Sequence, residues 1–109
     1  MVVKNPRESR VQQSGAAGLR EALLAGPASG CSRFTVRRIT LAPGGRTARN
    51  AWKGSVFYFL HSGRAALSHG EGELDHLSPG EAAVVHGEEL HHFQNIGDVP
   101  AVILAVIPQ

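Results

Sequence analysis

Hydrophobic and polar residues alternate along this chain in short runs of period two, and glycine, proline and serine separate the runs. Arg33 to Leu41 carries Phe34, Val36, Ile39 and Leu41, loses phase at Arg37-Arg38, and ends at Pro43-Gly44-Gly45. Val56-Phe57-Tyr58-Phe59-Leu60 is β-branched and aromatic and stops at Ser62-Gly63. Arg64 to Ser68 leads to a turn at His69-Gly70-Glu71-Gly72, Glu73 to Leu77 returns, and Ser78-Pro79-Gly80 turns again. Ala82 to Val85, Leu90 to Gln94 and Val102 to Ile107 complete the series. Turn signals recur about every eight to twelve residues, with no amphipathic helix of useful length, so the pattern predicts an all-β antiparallel sandwich or barrel.

The first thirty residues are less regular. Leu19 to Leu24 suits one helical turn or a strand and is stopped by Gly26-Pro27 and Ser29-Gly30. The expected organisation is an arm over residues 1–30, lying on the barrel or on a dimer partner, and a barrel over residues 31–109.

With 109 residues, 42% of them hydrophobic and 18% charged, the chain suits one domain with its own core. The net charge of +2 comes from scattered basic residues with no dense stripe, and six per cent aromatic content offers few stacking platforms, so no nucleic-acid partner is expected. No apolar run reaches the ~18 residues of a membrane span, and no segment has the order of a signal peptide. A cytoplasmic protein without a membrane partner is expected. Cys31 is the single cysteine, which rules out an intramolecular disulfide and reads as a small, partly buried side chain.

Two spacings carry the chemistry. Gly44, five residues, Asn50-x-Trp52, three residues, Val56, six residues, Gly63 is the first. Gly80, five residues, His86-x-Glu88, two residues, His91, three residues, Asn95 is the second. Together with Pro43-Gly44, Leu77-Ser78-Pro79-Gly80-Glu81 and the run from Asn95 to Ala101, they resemble the paired motifs of the cupin superfamily, over about residues 33 to 107. The resemblance implies a cupin-type double-stranded β-helix, a jelly-roll barrel, here with an N-terminal arm. It also implies that small cupins of this kind form homodimers.

In metal-binding cupins the first motif supplies His, His and Glu and the second supplies one His. Here those positions hold Asn50, Trp52, Val56 and His91. A neutral amide, an indole that only donates and an alkyl group cannot replace imidazole and carboxylate donors. No metal and no other cofactor is therefore expected. Strand alternation puts His92 on the face opposite His91 and His61 opposite the inward set of 56, 58 and 60, while His86 stands near a strand end. Glu88 and Glu89 read as a solvated pair at the strand entrance.

Val56, Tyr58, Leu60 and Phe93 would make an apolar cavity, with Asn50, Trp52, Tyr58 and His91 adding a few polar atoms and a flat π surface. Such a pocket suits a small, partly apolar or aromatic organic molecule. An imidazole is an acid or base near neutral pH, so His91 with Tyr58 would catalyse a metal-independent, non-redox proton transfer: isomerisation, cyclisation, dehydration or decarboxylation. A non-catalytic ligand-binding or accessory cupin is the alternative, because no second titratable group is evidently paired with His91. A metal-dependent oxygenase with an improvised site, from His86 and His91 for example, is the third.

Overall fold

In the computed structural model, residues 11–13, 18–70 and 72–108 are described. Nine strands follow in chain order: β1 (Val11–Gln13), β2 (Leu19–Ala25), β3 (Phe34–Leu41), β4 (Val56–Ser62), β5 (Ala65–His69), β6 (Glu73–Leu77), β7 (Ala82–Val85), β8 (His91–Asn95) and β9 (Ala101–Pro108). A single 3₁₀ turn at Pro27–Ser29 joins β2 to β3. The larger sheet has the order β1-β2-β3-β9-β4-β7 and the smaller the order β6-β5-β8, all pairings antiparallel. Residues 46–50 extend the smaller sheet along β8 through bridges from Arg46 to Gln94 and from Asn50 to His91.

The core lies between the sheets, and strand alternation explains which residues reach it. β9, central in the larger sheet, buries Ala101, Ile103, Ala105 and Ile107 while its intervening residues face outward. Val56, Tyr58 and Leu60 from β4 and Leu67, Phe93 and Asn95 from β5 and β8 close the interior.

One strand differs from the expectation, and another is decided between the two forms expected. β3 is continuous through Arg37-Arg38, and its inward set is Thr35, Arg37, Ile39 and Leu41, so Phe34 is 43% exposed. The outer face of the larger sheet is itself apolar: Val36, Val106, Phe57 and Val84 form one cross-strand row over β3, β9, β4 and β7. Hydrophobicity therefore marks both faces of β3 and misassigns its phase. Leu19 to Ala25 is a strand, paired with β3 of the same chain from Leu19 opposite Leu41 to Ala25 opposite Val36. Of residues 1–30, positions 1–10 and 14–17 lie outside the described residues.

The spacing glycines are corners. Gly63, between β4 and β5, has φ +84°, and a Cβ there would stand 2.6 Å from both the Ala101 Cα and the Pro100 carbonyl oxygen. Only glycine allows both the left-handed backbone and that approach. Asn95, 2% exposed, donates through Nδ2 to the carbonyls of Leu41 (2.9 Å) and Val99 (2.8 Å) and accepts from the Gly97 amide (2.8 Å). The last residue of the second spacing is thus a clamp between β8, the end of β3 and the turn into β9.

Candidate active site

A cavity of about 130 Å³ opens between the two sheets. Tyr58 comes from β4, His91 and Phe93 from β8, Arg37 and Ile39 from β3, Leu19 and Glu21 from β2, and Thr47, Ala48, Asn50 and Trp52 from the segment alongside β8. That segment is fixed by main-chain bonds: Asn50 and His91 exchange N–H···O bonds of 2.9 and 3.0 Å, and Thr47 N–H donates to the Phe93 carbonyl at 2.9 Å. The Glu88 amide donates to the Trp52 carbonyl, tying the indole's backbone to the loop before β8.

His91, only 4% exposed, has both ring nitrogens engaged. Nδ1 lies 2.8 Å from the Glu89 carbonyl oxygen. A carbonyl only accepts, so Nδ1 carries the proton, and in the neutral ring Nε2 holds a lone pair. Nε2 lies 2.7 Å from the Tyr58 hydroxyl, which donates to it. The Trp52 indole lines the same cavity as the Tyr58 hydroxyl and helps to pull its pKa down. Edge-to-face contacts of the Tyr58 ring with His91 (5.4 Å) and Phe93 (4.7 Å) hold it in place.

Burial pushes the Tyr58 hydroxyl up to about 12, with the Trp52 side chain and the Arg37 charge pulling it down and the Glu21 charge adding to the rise. The phenol therefore stays protonated at neutral pH. On the opposite face of β8, His92 is held below the usual histidine value by burial, then by Arg49, Arg46 and His91, and its Nδ1 is buried without a partner among the described residues.

Sequence reasoning expected Asn50, Trp52, Val56, Tyr58, Leu60, His91 and Phe93 around one pocket. The structure brings Asn50, Trp52, Tyr58, His91 and Phe93 to the cavity but not Val56 or Leu60, which are 1% and 0% exposed in the packed core. Of the inward residues of β4 only Tyr58 lines the open space. Asn50 is an exposed rim residue whose Oδ1 accepts from the adjacent Ala51 amide at 3.1 Å, so its tie to His91 is through the main chain.

Arg37 and Glu21 were missed. The tandem Arg37-Arg38 gives no sign of which side chain turns inward, and residues of the arm had no expected place in the wall. His69 is the last residue of β5, not a turn residue. Its Nε2 lies 2.7 Å from Asp75 Oδ2 and its Nδ1 3.0 Å from Glu89 Oε1. The Asp75 bond raises its pKa, burial opposes that rise, and the Glu89 bond adds to it. Glu89 is thus partnered rather than one of a solvated pair, and its main chain holds His91 while its side chain holds His69.

The four motif positions do not fit a transition metal. Trp52 donates, Val56 is buried hydrocarbon, Asn50 is turned to its own backbone, and both nitrogens of His91 are committed. Among the described residues no group of three or more His, Cys, Asp or Glu side chains is arranged to hold an ion. No helix among them is long and apolar enough to cross a membrane.

A family model for the cupin domain matches residues 37–107. No curated protein matches the sequence. Among solved structures, the polyketide cyclase RemF from Streptomyces resistomycificus is 21% identical with a TM-score of 0.82, the match covering 98% of this chain and 80% of that one. A sugar phosphate isomerase from a cupin superfamily, from Silicibacter pomeroyi, is 28% identical with a TM-score of 0.73, covering 84% of this chain and 60% of that one. A predicted oxalate decarboxylase from Thermotoga maritima is 23% identical with a TM-score of 0.77, covering 99% of this chain and 98% of that one. The matches share a double-layered β architecture, and at 21% and 23% identity the likeness is one of fold.

Proposed function

This chain belongs to the cupin domain family, and on that premise we propose that it is a metal-independent cupin that moves a proton on a small organic substrate in the barrel cavity. The observation that carries the reading is the buried Tyr58–His91 pair, with the His91 tautomer fixed by the Glu89 carbonyl. A carbonyl substrate that accepts the Tyr58 hydrogen bond displaces it from Nε2. The lone pair on Nε2 then takes a proton from the carbon beside the carbonyl, and the phenol stabilises the enolate oxygen as charge grows there. Return of that proton to a different atom gives isomerisation without a redox centre. Trp52, which pulls the Tyr58 pKa down, favours the phenol as a donor. The cyclase and isomerase among the fold relatives are compatible with such chemistry and do not select its substrate.

The test is deuterium exchange at the α-carbon of small ketones and β-keto acids in D2O, followed by NMR. Catalysed exchange should fall by about a hundredfold or more in His91→Ala, while the thermal transition of the variant shows a folded protein. Tyr58→Phe should lower the rate and spare binding. Binding without exchange in the wild type would instead establish the ligand-binding reading, which the double engagement of His91 also favours. Protein purified without chelator should carry well under one equivalent of iron, manganese, nickel or zinc, and stoichiometric metal would overturn metal independence.

A further inference from the structure

Arg37 stands at the cavity wall with its guanidinium carbon 5.5 Å from the centre of the Trp52 ring. The side chain is half-buried, and no carboxylate of the described residues forms an ion pair with it. Glu21 lines the same cavity from the neighbouring strand, opposite Ile39, and it too makes no ion pair. Both charges act on the Tyr58 hydroxyl, in opposite directions. The half-buried guanidinium shares this wall with Glu21 but forms no ion pair with it, which leaves its donors available to a ligand. Its flat fork of donors matches a carboxylate through two parallel hydrogen bonds, which a neutral amide cannot reproduce with the same strength.

We propose that the cavity selects a small monocarboxylate, with Arg37 binding the carboxylate and Glu21 opposing it, so that Arg37 is the specificity residue of this site. The proposal rests on the reading of this cavity as the ligand site. Size limits the rest of the molecule. The volume of about 130 Å³ is near the ~150 Å³ of an apolar cavity that admits benzene, so one small ring or a short branched chain fits and a fused multi-ring system does not. Held on the Trp52 face, the Arg37 fork fixes one end of such a ligand while the Tyr58–His91 pair faces the other groups along the wall.

The experiment is titration calorimetry with benzoate and with its neutral isostere benzamide. Benzoate should bind the wild type about tenfold or more tightly than benzamide, the usual advantage of a charged hydrogen bond. Arg37→Gln should bring the two within about twofold, and Arg37→Lys should restore part of the preference. Glu21→Gln should tighten benzoate and leave benzamide unchanged, a change of opposite sign that loss of packing would not produce. Equal binding of the two compounds by the wild type, or an undiminished preference in Arg37→Gln, overturns the carboxylate assignment and leaves the cavity reading standing. Binding of neither compound overturns both. Should Arg37→Gln fail to fold, the Glu21→Gln result decides alone: no gain for benzoate sinks the proposal.

Discussion

Tyr58 is the one tyrosine of the chain, so its ionisation can be followed by ultraviolet absorbance without interference from another phenol. Its residue is 4% exposed, and burial lifts the hydroxyl from 10.0 to about 12. The unfolded chain keeps the ordinary value of about 10. Between those two values the unfolded form has released a proton that the folded form still holds. The contribution of the buried phenol is therefore fully present below about pH 10 and is lost as pH rises through about 12. At ~1.4 kcal/mol per pKa unit, the gap from 10.0 to about 12 corresponds to about 3 kcal/mol. That is a large share of the ~5–15 kcal/mol that hold a domain together. Two measurements on wild type and Tyr58→Phe test it: an absorbance titration, and urea unfolding at several alkaline pH values. The wild-type titration should have its midpoint near 12. The stability advantage of wild type over variant should shrink by about 3 kcal/mol across that window, since every other ionisable group is common to both proteins and cancels. A midpoint near 10 with parallel stability curves would refute the buried, hydrogen-bonded phenol and, with it, the acid–base pair.

Three further outcomes are expected. Gly63→Ala combines a left-handed backbone, ~1–2 kcal/mol for a residue with a Cβ, with a Cβ 2.6 Å from backbone atoms on the neighbouring turn. Denaturant midpoints should show a loss of about 3 kcal/mol or more, whereas Gly80→Ala, with φ +90° and open space around it, should lose only the conformational part. Asn95→Ala leaves two carbonyls and one amide without their side-chain partner, and about 3 kcal/mol or more should disappear in a thermal melt; a loss below about 1 kcal/mol would contradict the clamp. The raised pKa of His69, due first to Asp75, means that its ion pairs stabilise the fold fully below about pH 6.5 and cease to do so as pH rises through the folded value. The stability difference between wild type and Asp75→Asn should therefore be larger in mild acid than in mild alkali, and a pH-independent difference would exclude the charged form of His69 as its source.

The strand frame was legible because turn chemistry is local. Pro43-Gly44-Gly45, Ser62-Gly63 and Ser78-Pro79-Gly80 state where the chain must reverse, and the positive φ at Gly44, Gly63 and Gly80 is what those residue types permit. The inward direction of His91 was legible from alternation within one short strand. The phase of β3 was not, because Phe34 and Val36 belong to the apolar outer row of the larger sheet while Arg37 faces the cavity. One-sided hydrophobicity is the assumption behind phase reading, and this sheet, buried on one face but apolar on both, does not satisfy it. Glu21 and the His69–Glu89 contact, twenty residues apart in the chain, depend on which strands become neighbours. Pairing of that kind is decided by the whole sheet and leaves no mark on either segment alone.

β2 supplies Leu19 and Glu21 to the cavity although it lies outside the span that matches the cupin domain. The cavity wall is thus written in two stretches of sequence, the matched barrel and a strand that pairs along β3 and adds Leu19 to the core. A substitution at half-buried Glu21 can change the charge of the chamber without removing a core side chain, which one at Leu19 cannot. Positions of β2 that face the cavity can accordingly vary while the Tyr58–His91 contact, made by β4 and β8, stays as it is.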